Sequence, residues 1–112
     1  MSSDYRLIES YVHNGRIGVL IELGFETSVT GLVPEVARLA KDLAMHVAAI
    51  NPQTIDELLL QPFLKEPTVT VGRLLSDISS RLGEQIFVLR FVRWDSQPSL
   101  PSATPPPAPR GS

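Results

Sequence analysis

Between Arg16 and Phe25 the chain alternates. Ile17, Val19, Ile21, Leu23 and Phe25 fall on one side, and Arg16, Gly18, Leu20, Glu22 and Gly24 on the other. A period of two fits a strand with one strongly buried face. Tyr5 to Val12 reads as a second strand, and Asn14-Gly15 lies between the two. That dipeptide tolerates positive φ at both centres of a tight turn, so the opening of the chain is predicted to be a β-hairpin. Glu26 to Leu32 breaks any period and reads as a loop.

The period then changes. Pro34 suits the first turn of a helix, where its missing N–H would have had no helical partner. From Glu35, Val36, Leu39, Ala40, Leu43, Val47 and Ile50 recur at helical spacing, and Asn51-Pro52 closes the helix. Thr54 followed by Glu57 resembles a capping box for a short turn over Ile55 to Leu60. Pro62 and Pro67 bound an extended connector from Phe63 to Val69. Thr70 is a candidate N-cap. Val71, Leu74, Leu75, Ile78 and Leu82 form an apolar helical stripe, and Gly83 supplies the stop. Gln85 to Trp94 is a strand with apolar residues on both faces, which fits a central strand or an edge strand that meets a partner.

Strand, strand, helices, strand is an α+β order. It describes a two-layer β(2)-α(n)-β unit whose three-stranded antiparallel sheet forms when the last strand pairs with one member of the hairpin. Residues 5–95 are read as the domain, 1–4 as a disordered start and 96–112 as a proline-rich disordered tail with six of the ten prolines.

Composition narrows the function. The 112 residues are 43% hydrophobic and 20% charged, which suits a single small globular domain. There is no cysteine, so a disulfide framework, a thiolate metal site and a cysteine nucleophile are all excluded. Net charge is −2 with basic residues scattered among acidic ones, which leaves no footprint for a phosphate backbone. No apolar run approaches the ~20 residues of a membrane span. Met1-Ser2-Ser3-Asp4 lacks the basic and apolar regions of a signal peptide. The expected location is the cytoplasm, or an organelle matrix after loss of a targeting segment.

Candidate chemistry is sparse. His13 flanks the hairpin turn, and His46 shares its helix with Asp42. Neither belongs to a nucleophile–base–orienter set or to a recognisable metal-ligand spacing. A structural or interface role suits both histidines better than catalysis. Arg90 and Arg93 could bind a carboxylate, although solubilising a strand is their commoner use. No cofactor, metal or catalytic residue is expected, and a protein-binding module is favoured over an enzyme.

A family resemblance then emerges. Ile8-Glu9-Ser10-Tyr11-Val12-His13-Asn14-Gly15-Arg16-Ile17-Gly18-Val19-Leu20-Ile21-Glu22 resembles the opening hairpin of the core domain of elongation factor Ts. Leu39-Ala40-Lys41-Asp42-Leu43-Ala44-Met45-His46-Val47-Ala48-Ala49 and Asn51-Pro52 resemble its first core helix. Leu59-Leu60-Gln61-Pro62-Phe63-Leu64-Lys65-Glu66-Pro67 and Thr70-Val71-Gly72 resemble the next block, and Leu82-Gly83-Glu84-Gln85-Ile86 with Arg90-Phe91-Val92-Arg93-Trp94 the closing strand. The resemblance implies a translation factor that binds the GTPase elongation factor Tu and promotes GDP/GTP exchange non-covalently. It further implies self-association, here as a homodimer. Carried over onto matching blocks, His13, Arg16, Thr27, Ser28, Val29, His46, Gln61 and Phe63 become candidates for partner binding. For Phe63 above all, a core role is as good a reading.

The sequence departs from the family at one point that matters. Where the family has a Thr-Asp-Phe-Val motif whose Asp-Phe pair enters Tu near its magnesium and phosphate site, this chain reads Glu26-Thr27-Ser28-Val29-Thr30. Ser28 stands for the Asp and Val29 for the Phe. Phe25 is no shifted substitute, since it continues the buried face of its strand. The family's N-terminal helical domain, its long helical insertion before the Leu59 block and its second core unit also have no counterpart. Three readings follow: an exchange factor of minimal size, a module that docks on Tu or another protein without promoting exchange, and a small hydrolase or metal enzyme on the same scaffold.

Overall fold

A computed structural model describes residues 5–27 and 30–96. The expectations for 1–4, for Ser28 and Val29, and for the proline-rich tail beyond Ser96 lie outside the described residues. Strand β1 (Tyr5–His13) and strand β2 (Ile17–Phe25) pair antiparallel over their whole length. Asn14 at φ 55 and Gly15 at φ 68 form the turn, closed by the Arg16 N–H on the His13 carbonyl at 2.9 Å. Two consecutive positive φ values match the right-handed twist of the strands on either side, which is why Asn-Gly serves here.

A short 3-10 turn (Thr30–Leu32) leads into helix α1 (Pro34–Ile50). Asn51 ends α1 in the left-handed region, its N–H still donating to the Val47 carbonyl. Helix α2 (Ile55–Leu60) begins at Thr54, whose hydroxyl accepts from the Glu57 N–H. The reciprocal bond of the expected box closes one residue early: the Glu57 carboxylate takes the Gln53 N–H at 2.9 Å. The extended connector is itself a small hairpin of β3 (Pro62–Phe63) and β4 (Glu66–Thr70). Thr70 caps helix α3 (Val71–Leu82) by accepting from the Arg73 N–H.

The closing strand β5 (Phe87–Asp95) pairs antiparallel with β2, so the order is β1-β2-β5 and β2 is central. β5 is therefore an edge strand, one of the two readings open from its sequence. A bulge explains its two-faced pattern. Glu22 faces Arg90 and Leu23 faces Val88, which leaves Leu89 as the extra residue. Before the bulge Ile86 and Val88 point inward; after it Phe91 and Arg93 do, and Val92 and Trp94 turn outward.

The core lies between the sheet and α1. Val19, Ile21, Leu23 and Phe25 meet Val36, Leu39, Leu43 and Val47, while Leu58, Val71, Leu75 and Ile78 extend it beneath α2 and α3. One face of the sheet is thus fully covered. The other is open.

Candidate protein-docking site

The connection from β2 to α1 is held by one distant side chain. Gly83 ends α3 in the left-handed conformation at φ 72, and the Glu84 N–H reaches back to the Ser79 carbonyl at 3.0 Å. That turn carries the Glu84 carboxylate to the end of β2. There Oε2 accepts the backbone N–H groups of Glu26 (2.6 Å) and Thr27 (2.9 Å), and Oε1 accepts the hydroxyls of Thr27 (3.0 Å) and Thr30 (2.6 Å). Partial desolvation works to raise the Glu84 pKa. The bonds from Thr30, Thr27 and Glu26 outweigh it and hold the carboxyl below its ordinary value. With four donors on its two oxygens, this carboxylate is a clamp rather than a general base.

A second cluster forms behind α1. His46 has no exposed surface. The Leu64 N–H donates to its Nδ1 at 3.1 Å, so the proton sits on Nε2 and is donated to Gln61 Oε1 at 2.8 Å. The Phe63 ring stacks on the imidazole with centroids 6.1 Å apart. Both side chains are buried, and they join α1 to the β3–β4 hairpin, the core role that the sequence left open for Phe63. Gln61 is half-buried beside them.

His13 and Arg16 lie apart from both clusters, at the hairpin tip. The Tyr11 hydroxyl is 3.0 Å from His13 Nδ1 and the two rings stack, while the Arg16 carbonyl accepts from Ser96. Thr27 is exposed and clamped. The structure therefore groups Thr27 with Glu84 and groups His46 with Gln61 and Phe63, and it joins neither group to His13 or Arg16. Among the described residues no set of three or more His, Asp or Glu side chains could hold a metal ion. None of the helices described is long and apolar enough to cross a membrane.

Two features escaped sequence reasoning. Glu84 bonds residues more than fifty positions away, so no local pattern could reveal it. The outward face of the sheet was concealed by the bulge. In register across β1, β2 and β5 stand Val12, Gly18 and Trp94, then Ser10, Leu20 and Val92, then Ile8, Glu22 and Arg90. Ile8, Val12, Leu20, Val92 and Trp94 are all exposed, Trp94 at 72%. Glu22 is nearly buried between Arg90 (2.6 Å) and Arg6 (3.8 Å).

The sequence model of the family described as Elongation factor TS matches residues 1–58. The chain belongs to the elongation factor Ts family. It is 33% identical to elongation factor Ts of Alkaliphilus metalliredigens and 34% identical to that of Alkaliphilus oremlandii, each match covering 80% of this chain and 62% of the relative. Elongation factor Ts of Rubrobacter xylanophilus is 30% identical over 79% of this chain and 69% of its own length. The chain thus spans less than two thirds of the first two relatives. Their alignments run over 134 positions, more than the 112 residues of the chain. These elongation factor Ts relatives therefore carry extra residues inside the matched region.

Proposed function

We propose that this chain is a translation factor that acts in the cytoplasm by docking on elongation factor Tu, with the end of the sheet where β2 leaves for α1 as the contact. The observation that carries this reading is the Glu84 clamp on Glu26, Thr27 and Thr30. It ties down the residues on either side of the position where the resemblance puts the family's Tu-contacting motif. His13, Arg16 and Gln61 are proposed as further contacts, with His46 and Phe63 shaping the surface from beneath.

Exchange of GDP requires negative coupling, in which the factor binds best the state of Tu that holds nucleotide and Mg²⁺ poorly. Ser28 and Val29 replace the acidic and aromatic pair that does this in the family. Loss of an aromatic anchor at an interface commonly costs ~2 kcal/mol, about thirtyfold in affinity. Docking with weak or no exchange is accordingly the expected behaviour. Mixing the chain with Tu loaded with a fluorescent GDP tests it. Unchanged GDP release at saturating chain removes exchange and leaves docking; absence of any complex removes both.

A second reading concerns self-association. The open outer face of the sheet supports a homodimer formed through Leu20, Val92 and Trp94. A monomeric mass by light scattering at high concentration would exclude it.

A further inference from the structure

Leu32 is 82% exposed, the most exposed of the large apolar side chains described. A single surface leucine is unremarkable in itself. Its backbone, however, is held on both sides. Two residues earlier Thr30 is buried, with its hydroxyl on Glu84 Oε1 and its carbonyl accepting the Val33 N–H at 3.1 Å. Immediately after, Val33 packs against the core and its carbonyl receives the Val36 and Ala37 N–H groups that open α1. The 3-10 turn Thr30–Leu32 is thus tied at one end to the clamp and at the other to the helix. A backbone held in this way lowers the ordering cost when the side chain meets a partner, and pre-organisation of this kind raises affinity.

We propose that Glu84 is the positioning residue that fixes this turn, and that Leu32 is the apolar contact it presents to the Tu-type GTPase; the second half rests on the docking reading above. The carboxylate acts at a distance. It touches no partner, but orients the backbone on which Leu32 stands. Leu32 follows by three residues in sequence Val29, which stands where the resemblance puts the aromatic residue of the family motif.

The test uses the full chain. Titration against GDP-loaded Tu is combined with amide hydrogen exchange at Glu26 and Thr27 of the chain alone. Leu32→Ala is expected to weaken the complex about tenfold with no shift in thermal midpoint, because the side chain contributes no buried contact to the fold. Glu84→Gln keeps an acceptor on one oxygen only. It is expected to speed exchange at both amides about tenfold and to weaken the complex to a similar degree. Thr30→Val is expected to act like Glu84→Gln, and Thr30→Ser, which restores the hydroxyl, to recover affinity. Wild-type affinity in Leu32→Ala overturns the contact, and unchanged amide exchange in Glu84→Gln overturns the clamp. If the wild-type chain forms no complex with Tu, the docking reading fails and the Leu32 contact falls with it, while the amide measurement still decides the role of Glu84.

Discussion

Glu84 and His46 make opposite uses of polar groups. Glu84 sits near solvent and gathers donors. Its folded pKa lies below the ordinary carboxylate value of 4.5, so its stabilising contribution is complete above that value. The contribution fades as pH falls from there through the folded pKa. The stability difference between wild type and Glu84→Gln is therefore expected to stay constant from neutral pH down to about 4.5 and to shrink below it, as read by urea unfolding at each pH. His46 instead fills a core position, with one nitrogen accepting and one donating. His46→Phe keeps the stacking volume beside Phe63 but leaves the Leu64 N–H and the Gln61 amide without their partner. A loss of about 2–3 kcal/mol is expected by equilibrium unfolding. Gly83→Ala tests the turn that delivers Glu84. A Cβ there would meet no atom within 4 Å, so only the positive φ is penalised, by about 1–2 kcal/mol.

At the level of elements, much of the architecture was legible because each boundary is written in local chemistry. Asn14-Gly15 sets the hairpin, Pro34 opens α1, Asn51-Pro52 closes it, and Thr54 and Thr70 cap α2 and α3. Thr70→Ala removes the bond to the Arg73 N–H and is expected to lower stability by about 1 kcal/mol in thermal or urea unfolding. Other features stayed hidden because they arise from pairings between distant segments. The bulge at Leu89 reverses which side chains of β5 face inward, and nothing in the sequence of β5 alone separates a bulged edge strand from a flat two-faced one. Both edges of the sheet carry charge suited to deter further pairing. Lys41 donates to the Ser10 carbonyl of β1 and pairs with Glu9, and Arg93 of β5 donates to the Ala48 carbonyl near the end of α1. Of the proposed contacts, Thr27 and Gln61 are named by the family resemblance alone. Glu84 and Leu32 were missed, since clamp and exposure are properties of the folded chain.

Among the described residues one face of the sheet is covered and the other bare, and this asymmetry sets the expected assembly. A three-stranded sheet with α1 on one side leaves Leu20, Val92 and Trp94 facing water. Arg6 and Arg90 stand at one end of this face and Trp94 at the other. Two copies packed face to face about a twofold axis near Leu20 would set the guanidinium of Arg90 over the Trp94 ring of the partner, twice, a cation–π arrangement that makes the surface self-complementary. Leu20→Glu places a charge at the middle of that face on the central strand. Leu20 is 46% exposed in the single chain, so the isolated fold should lose about 1 kcal/mol or less. In a dimer the two glutamates would confront each other across a desolvated interface, where unpaired charges are strongly unfavourable. The expected result is a concentration-dependent dimer for the wild-type chain and a monomer for Leu20→Glu at all concentrations by light scattering, with unchanged circular dichroism. Because the outer face is distinct from the Glu84–Leu32 end of the sheet, Leu20→Glu should also leave Tu affinity within about twofold of wild type; a joint loss of dimer and Tu binding would show that the two surfaces are one.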